Sequence, residues 1–245
     1  GVWARDAYGT TSTDMSYKAV PFLLSSRGYG ILLNDSGESV WDMGATSTAS
    51  ATVLSGSKTL DAIIFFGETP REVLRAYGRF MGRIPIPPKW TFGVWMSRCF
   101  YHTRREVEGI ADRLRKERVP CDVLHVDPMW LKGRKDWLAD ACDFEWDERA
   151  FGDPVKFFGD LRAKGFRVSL WENPYVPRGT AAFREAAARG FLVRSKRGGF
   201  SKANSNDRAV PLDFTNPDAV EWWRDKHRPL IRAGAAAFKT DYGEG

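Results

Sequence analysis

The sequence of 245 residues predicts an α/β chain in which an antiparallel β segment precedes repeated parallel strand–helix units. Two observations predict this class. Short β-like runs separated by turn residues fill the chain up to about residue 66, and from residue 90 onward an apolar strand and an amphipathic helix alternate four times. Four such repeats imply a parallel sheet, either doubly wound or closed into an eight-stranded barrel.

The first segment, residues 1–66, has the pattern of part of an antiparallel sheet or sandwich. Its five β-like runs are residues 20–24, 30–33, 39–41, 51–54 and 62–66. Turn-forming residues separate these runs at 27–28, 34–37 and 55–56. Short strands joined by such turns are typical of antiparallel sheets.

Residues 67–88 are predicted to link the two segments. Thr69 is a helix N-cap, with Pro70 in the first turn and Glu72 close behind. The Ile-Pro-Ile-Pro-Pro stretch at 84–88 cannot continue this helix, because each proline lacks an amide donor and constrains the residue before it. We therefore expect the domain boundary there.

The second segment, residues 89–245, is predicted to contain four strand–helix units, of which the fourth is represented by its strand alone. The predicted strands are residues 91–96, 121–126, 166–171 and 235–240. The predicted helices have N-caps at Thr103, Asp153 and Asn216, and Glu106 completes a capping box with the first of them.

Each of the four strands ends in polar or aromatic side chains. These are Ser97 at the first strand, Asp127 at the second, Trp171 and Glu172 at the third, and Asp241 at the fourth. Side chains that converge from the carboxyl ends of several strands build the active site of a TIM barrel. A phosphate-binding doubly wound sheet would need a glycine-rich turn, and none of these turns has one. The barrel is therefore the predicted fold.

Asp241 is the first candidate for chemistry. Lys239 lies two residues before it and on the same side of the strand, because side chains alternate with period two. A nearby ammonium favours the ionised carboxylate, which suits nucleophilic attack. The same pair would also serve as an ordinary salt bridge at a strand end, and the spacing alone does not separate the two interpretations.

Asp127 is the second candidate, because a carboxylate at a strand end can accept hydrogen bonds from sugar hydroxyls. Aromatic rings pack against the flat faces of sugars, and four tryptophans lie in or beside the loops at this end: Trp130, Trp137, Trp146 and Trp171. Each of them could equally be part of the core.

The composition excludes several other function classes. The net charge of +6 comes from basic residues interleaved with acidic ones on helices, which is the pattern of a solvated face, so we do not expect nucleic-acid binding. No apolar run is long enough to cross a bilayer. The three cysteines form no CxxC pair, which favours a reducing, cytoplasmic setting, and the three histidines show no metal-ligand spacing. Neither a metal nor a cofactor is predicted.

Several motifs resemble glycoside hydrolase family 31, and most closely its bacterial α-xylosidase-like members. They are SRGYG at 26–30, PPKWTFG at 87–93, CDFEWD at 142–147, WENPY at 171–175, DFTNP at 213–217 and FKTDYGE at 238–244. The resemblance implies the first half of a TIM (β/α)8 barrel, preceded by part of an antiparallel β-sandwich domain. It also implies that Asp241 is the catalytic nucleophile, that Lys239 and Trp171 line the sugar subsite, and that Asp127 binds the far hydroxyls.

The resemblance further implies a retaining α-glycosidase that acts on terminal α-linked xylose or glucose in an oligosaccharide or glycoside. Retention uses two carboxyl groups about 5 to 5.5 Å apart, and the acid/base partner is expected beyond Gly245. The chain is thus expected to be an internal fragment of a longer enzyme, and the full-length enzyme could form a homo-oligomer. Alone, the fragment is expected to be inactive and prone to aggregate. Bulk at Phe100 and Met129 favours xylose slightly over glucose. A non-catalytic carbohydrate-binding protein on the same fold is the alternative.

Overall fold

The computed structural model describes residues 3–4, 15–16, 20–35, 37–133, 142–203 and 207–243. The chain divides into two compact units, Gly1–Ile86 and Pro87–Gly245. Within the described ranges, no helix is both long and apolar enough to cross a membrane.

The first unit is built from short strands. In chain order they are β1 (Trp3–Ala4), β2 (Met15–Ser16), β3 (Phe22–Ser25), β4 (Tyr29–Leu33), β5 (Ser39–Asp42), β6 (Thr52–Ser55) and β7 (Ala62–Phe66). Strands β3, β4 and β7 form an antiparallel sheet, β5 pairs with β6 in an antiparallel hairpin, and β1 pairs with β2 in parallel. The five predicted runs are confirmed, whereas β1 and β2, of two residues each, were not predicted.

Helix α1 (Pro70–Met81) completes the first unit. The predicted N-cap is confirmed: the Thr69 hydroxyl accepts from the Glu72 amide, and the Glu72 carboxylate accepts in return from the Thr69 amide. The helix buries Val73 against the β3–β4–β7 sheet. The helix therefore packs as part of the first unit, because its apolar face needs the sheet to exclude water. The sequence predicts a helix that links the two segments.

Gly30 allows this packing. A Cβ atom at Gly30 would lie 2.8 Å from Val73 Cγ1 and 2.7 Å from Phe22 Cζ, closer than such atoms approach in proteins. The helix and the sheet can approach closely because this position has no side chain.

The second unit alternates strands and helices. In chain order its elements are β8 (Trp95–Met96), α2 (Arg104–Lys116), β9 (Val123–Val126), α3 (Glu148–Phe151), α4 (Pro154–Ala163), β10 (Arg167–Glu172), β11 (Tyr175–Pro177), α5 (Ala181–Ala188), β12 (Ala209–Pro211), α6 (Pro217–Ala233) and β13 (Ala237–Thr240). The parallel sheet has the order β8–β9–β10–β13. Consecutive parallel strands are neighbours throughout, as in one arc of a barrel, whereas a doubly wound sheet reverses its strand order.

The structure differs from the sequence prediction in the first strand. The strand predicted over 91–96 is wrong in its first half, since Lys89–Phe92 form a 3-10 turn and only Trp95–Met96 pair with β9. The turn forms because the Thr91 amide and hydroxyl both donate to the Pro88 carbonyl, at 2.9 and 2.7 Å.

Two further differences concern local structure in the second unit. The capping box expected at α2 is only half formed: Thr103 accepts from the Glu106 amide, but Glu106 accepts from the amide of His102. The long connections also contain elements that were not predicted, namely α3, α5 and the antiparallel β11–β12 pair.

The two faces of the parallel sheet differ in chemistry. One face, here called the helix face, carries apolar residues such as Leu124, Val126 and Leu170 that pack in the main core with side chains of α2, α4 and α6. The opposite face, here called the inner face, carries His125, Asp127, Ser169, Trp171, Lys239 and Asp241. The polar residues predicted at the strand ends therefore share one face.

Candidate active site

The carboxylate of Asp241 is held by two donors at the end of β13. Lys239 Nζ lies 3.0 Å from Asp241 Oδ2, and Trp171 Nε1 donates to the same oxygen at 2.8 Å. The strand register explains this arrangement, because Trp171 on β10 lies directly beside Lys239 on β13. The Asp241 amide also donates to the Glu172 carbonyl at 2.8 Å, which fixes the backbone at the point where the side chain leaves the strand.

Asp127 joins the same group from the end of β9. Its Oδ1 lies 3.9 Å from Lys239 Nζ, so one ammonium contacts both carboxylates. The Ser97 hydroxyl donates to Oδ2, and His125 Nε2 lies 3.3 Å from Oδ1. The other imidazole nitrogen, Nδ1, lies 3.0 Å from Ser169 Oγ, which orients the ring. Asp127 is thus fixed by contacts from three strands.

These contacts keep Asp127 ionised. Burial would raise the pKa of Asp127, but hydrogen bonds from His125 and Ser97, and the charge of Lys239, lower it below its ordinary value. The group of two carboxylates and one ammonium has one negative charge in excess. Such a site suits a ligand rich in hydroxyl groups, and it stabilises a positive charge that develops during a reaction.

The group is accessible at the surface of the second unit. The side chain of Asp241 is 29% exposed and that of Lys239 is 47% exposed, while that of Asp127 is 12% exposed. A carboxylate used only for structure needs no exposure. One that reacts with a ligand has to be both oriented and reachable, as Asp241 is.

The four predicted tryptophans separate into different roles. Trp171 is 3% exposed and packs in the main core, with its indole N–H directed at Asp241. Trp130 is fully buried and donates from Nε1 to the Trp171 carbonyl at 2.9 Å. Trp146 packs in the core and donates to the Gly152 carbonyl at 2.8 Å, so for Trp130 and Trp146 the core interpretation is correct. Trp137 lies outside the described residues.

Phe100 and Met129 were predicted to limit the size of the sugar. Phe100 is half-buried and stacks on His102, with ring centroids 5.9 Å apart. Met129 is buried in the 3-10 turn Pro128–Trp130 that follows Asp127. Their influence on substrate choice stays a prediction.

Sequence reasoning overlooked the residues that support Asp127. His125 and Ser169 each lie two residues before a strand-end residue on the inner face, inside otherwise apolar strands. A polar residue at every second position of an apolar strand is the signal that could have identified them. Ser97 was noted as a strand end, but its bond to Asp127 was not predicted.

No other site of comparable chemistry is evident in the described part of the chain. Within the described ranges, no group of three His, Cys, Asp or Glu residues is arranged to hold a metal ion. A cleft of about 540 Å³ lies beside α5 and α6, but the residues that line it do not include Asp127, Trp171, Lys239 or Asp241.

Comparison with known proteins gives matches over nearly the whole chain. Residues 84–245 match the TIM-barrel domain of glycosyl hydrolases family 31, and residues 2–42 match the glycosyl hydrolase 31 N-terminal galactose mutarotase-like domain. The α-xylosidase XylQ of Lactiplantibacillus pentosus is 33% identical over 99% of this chain and 31% of its own length. Alpha-glucosidase 2 of Bacillus thermoamyloliquefaciens is 27% identical over the same shares, 99% and 31%.

The solved structures include a dextranase of the same family. A mutant of the GH31 dextranase FjDex31A of Flavobacterium johnsoniae, in complex with isomaltotriose, superposes with a TM-score of 0.85 at 25% identity. The match covers 96% of this chain and 29% of that one. The chain therefore spans a little under a third of the length of these proteins.

Proposed function

Since this chain belongs to glycosyl hydrolase family 31, we propose that it contributes the nucleophile and the sugar-binding residues of a retaining α-glycosidase. The observation that carries the proposal is the Asp241 carboxylate, which is partly exposed yet fixed by Lys239 at 3.0 Å and Trp171 at 2.8 Å. Fixed orientation is what a carboxylate needs to attack an anomeric carbon along a defined line.

Two displacements give retention. An Asp241 oxygen forms a bond to the anomeric carbon while the glycosidic oxygen departs and takes a proton from a general acid. In the second step the same residue acts as a general base: it takes a proton from water while the water oxygen attacks the anomeric carbon, and the ester bond to Asp241 breaks. Each step inverts the anomeric centre, so the product keeps the original configuration. The excess negative charge around Lys239 stabilises the oxocarbenium-like transition states.

Asp127 is suited to bind sugar hydroxyls rather than to act as the general acid. A general acid needs a pKa near the working pH, whereas hydrogen bonds and charge lower the pKa of Asp127 despite its burial. As a carboxylate it accepts O–H donors. The proton donor is therefore a different residue from Asp127.

The substrate is proposed to carry a terminal α-linked xylose or glucose. Relatives of this chain include proteins named α-xylosidase and alpha-glucosidase, and their sugars differ by one hydroxymethyl group. Excluding such a small group is worth about 1 to 3 kcal/mol. The ratio of kcat/KM for aryl α-xyloside and aryl α-glucoside is the direct measurement of this preference.

Covalent labelling tests the nucleophile. The protein expressed from its complete reading frame is treated with a fluorinated glycoside that traps the glycosyl ester, and the labelled peptide is sequenced by mass spectrometry. We expect the label on Asp241, and we expect Asp241→Asn to remain unlabelled with kcat reduced by roughly 10⁴-fold or more. A label on any other residue would refute the assignment.

Asp207→Asn is the matched control. Asp207 also pairs with a lysine, Lys202 at 2.8 Å, but both side chains are exposed and neither touches the Asp241 group. This variant should label and turn over like the unchanged protein. If the unchanged protein binds the sugar without turnover, and Asp241→Asn binds it equally well, the chain belongs to a carbohydrate-binding protein instead.

A further inference from the structure

Glu172 is a buried carboxylate that the proposed chemistry does not use. It follows Trp171 on β10, so its side chain lies on the helix face while Trp171 lies on the inner face. The residue is 1% exposed. A carboxylate in an apolar core is costly unless it is paired. Its partner is His227 of α6, whose Nε2 lies 2.5 Å from Glu172 Oε2.

The hydrogen bonds of His227 define where its protons are. Nδ1 lies 2.8 Å from the Trp223 carbonyl, which can only accept, so Nδ1 carries a hydrogen. Nε2 faces the Glu172 carboxylate at 2.5 Å. When Nε2 is protonated as well, the two charges cancel and the pair as a whole is neutral. Burial would lower the pKa of His227, but the hydrogen bond and the charge of Glu172 raise it above its ordinary value.

Aromatic rings enclose the imidazole on its other sides. The centroids of Phe144 and Phe238 both lie 4.7 Å from that of His227, and the Trp223 centroid lies 5.6 Å away. These rings come from the 142–147 segment, from β13 and from α6 itself. The imidazole therefore joins β10, β13 and α6 in an environment that contains little water.

Among the described residues, Glu172 is the charged group that faces this imidazole. The neighbouring charges on α6 are directed elsewhere: Lys226 pairs with Glu185 at 3.0 Å, and Arg228 pairs with Asp225 at 2.6 Å. Since Phe144 and Phe238 carry no charge, the protonation of His227 depends chiefly on Glu172.

The pair is linked to Asp241 through two adjacent residues of β10, by the backbone of Glu172 and by the side chain of Trp171. The Glu172 carbonyl accepts the Asp241 amide at 2.8 Å, and Trp171, the residue before it, donates its indole N–H to the Asp241 carboxylate. On the neighbouring strand, Phe238 contacts His227 and is followed directly by Lys239. The same two strands thus hold the buried pair on one face and the Asp241 group on the other.

We propose that the Glu172–His227 ion pair is a positioning device that holds Asp241 in its attacking orientation and releases it when the pair loses its proton as the pH rises. This inference rests on the proposed function of Asp241. The pair stabilises the fold fully below the ordinary pKa of histidine, 6.5, and this contribution is lost as the pH rises through the higher folded value. Above that pH the buried Glu172 charge is left without a partner, and the end of β10 has to rearrange.

Glu172→Gln separates positioning from simple loss of structure. The glutamine amide can donate to neutral His227 Nε2, so the contact survives without the shared proton. We therefore expect kcat of the unchanged protein, expressed from its complete reading frame, to fall about tenfold to 100-fold across the His227 titration with KM little changed. In Glu172→Gln the part of this loss that follows the His227 titration should disappear, while a loss caused by the general acid should remain, and a new loss should appear at lower pH.

Glu185→Gln is the matched control. It makes the same chemical change in the partner of Lys226, one residue before His227 on the same helix, but the Glu185–Lys226 pair is more exposed and is not linked to Asp241. Its pH profile should equal that of the unchanged protein. An alkaline limb that is identical in Glu172→Gln and in the unchanged protein would overturn the proposal.

An NMR titration decides the inference independently of turnover. With ¹⁵N-labelled histidine and aspartate, the Asp241 amide signal should shift with the same midpoint as the His227 imidazole in the unchanged protein. If the chemical shift of the Asp241 amide does not change as His227 titrates, the proposal is contradicted, even if the enzyme is active. If the protein cleaves no α-glycoside, the proposed function fails, while this titration still tests the link. The NMR titration uses the unchanged protein, so it still tests the proposal if the Glu172→Gln variant does not fold.

Discussion

Replacing Asp127 by Asn tests whether its charge binds the sugar. The substitution keeps the size of the side chain and removes the negative charge that Ser97, His125 and Lys239 surround. A hydrogen bond to a charged group contributes about 1.5 to 3 kcal/mol. We therefore expect kcat/KM for an aryl α-glycoside to fall by roughly 10-fold to 150-fold, with most of the loss in KM if the bond is equally strong in the ground and transition states.

The same variant should lose stability in a pH-dependent way. The folded pKa of Asp127 is lowered from 3.8, because hydrogen bonds and the charge of Lys239 outweigh its burial. Its contribution is therefore present above pH 3.8 and is lost as the pH falls through the folded value. Urea unfolding at pH 7 should show Asp127→Asn to be less stable by about 1 to 3 kcal/mol, and the difference should shrink towards pH 3.

The control is again Asp207→Asn, an exposed ion pair for which an effect below about 1 kcal/mol is expected. If Asp127→Asn changed kcat/KM by less than threefold, Asp127 would not be a sugar ligand. If the stability difference stayed constant between pH 7 and pH 3, the ionised state of Asp127 would not be what stabilises the fold.

Two further predictions concern hydrogen bonding at the site and packing in the first unit. Trp171→Phe removes the 2.8 Å bond to Asp241 but keeps an aromatic ring, so kcat should fall by roughly 10-fold to 150-fold, whereas Trp146→Phe, which loses a bond in the core, should keep its kcat. Equal kcat in the two variants would exclude the indole from the mechanism. Gly30→Ala should destabilise the fold by about 1 to 3 kcal/mol, since its Cβ would lie 2.7 Å from the nearest side-chain atom. Gly78→Ala, on a helix surface with nothing within 4 Å, should stabilise it by roughly 0.5 to 1 kcal/mol in urea unfolding, and the reverse order would contradict this view of the packing.

The places of the parallel strands along the chain and the residues at their ends could be predicted because the signals are local. An apolar run of strand length that ends in Asp127 or Asp241 places those residues at the carboxyl edge wherever the strand lies in the sheet. Period-two alternation then puts Lys239 on the same side as Asp241, and the 3.0 Å contact confirms it.

Contacts between distant parts of the chain could not be predicted in this way. His227 belongs to a helix that starts 45 residues after Glu172, and nothing in the spacing shows that the two side chains meet at 2.5 Å. Local hydrogen bonding misled the prediction elsewhere: residues 91 and 92 have strand-like composition, but Thr91 bonds back to Pro88 and forms a turn.

The contrast between the two faces of β10 and β13 explains why one ammonium lies between two carboxylates. Lys239 lies 3.9 Å from the Asp127 carboxylate and 3.0 Å from the Asp241 carboxylate, so one ammonium contacts both groups. Carboxylate charge that this ammonium does not balance is available to a developing oxocarbenium ion. On the dry helix face, a net charge would have no such use and a large cost, and there Glu172 and His227 form a neutral pair. Side chains alternate between the two faces of a strand, so β10 and β13 can carry charged groups on the inner face, where a substrate can bind. On the helix face, where an unpaired charge would weaken the fold, the charge of Glu172 is neutralised by His227.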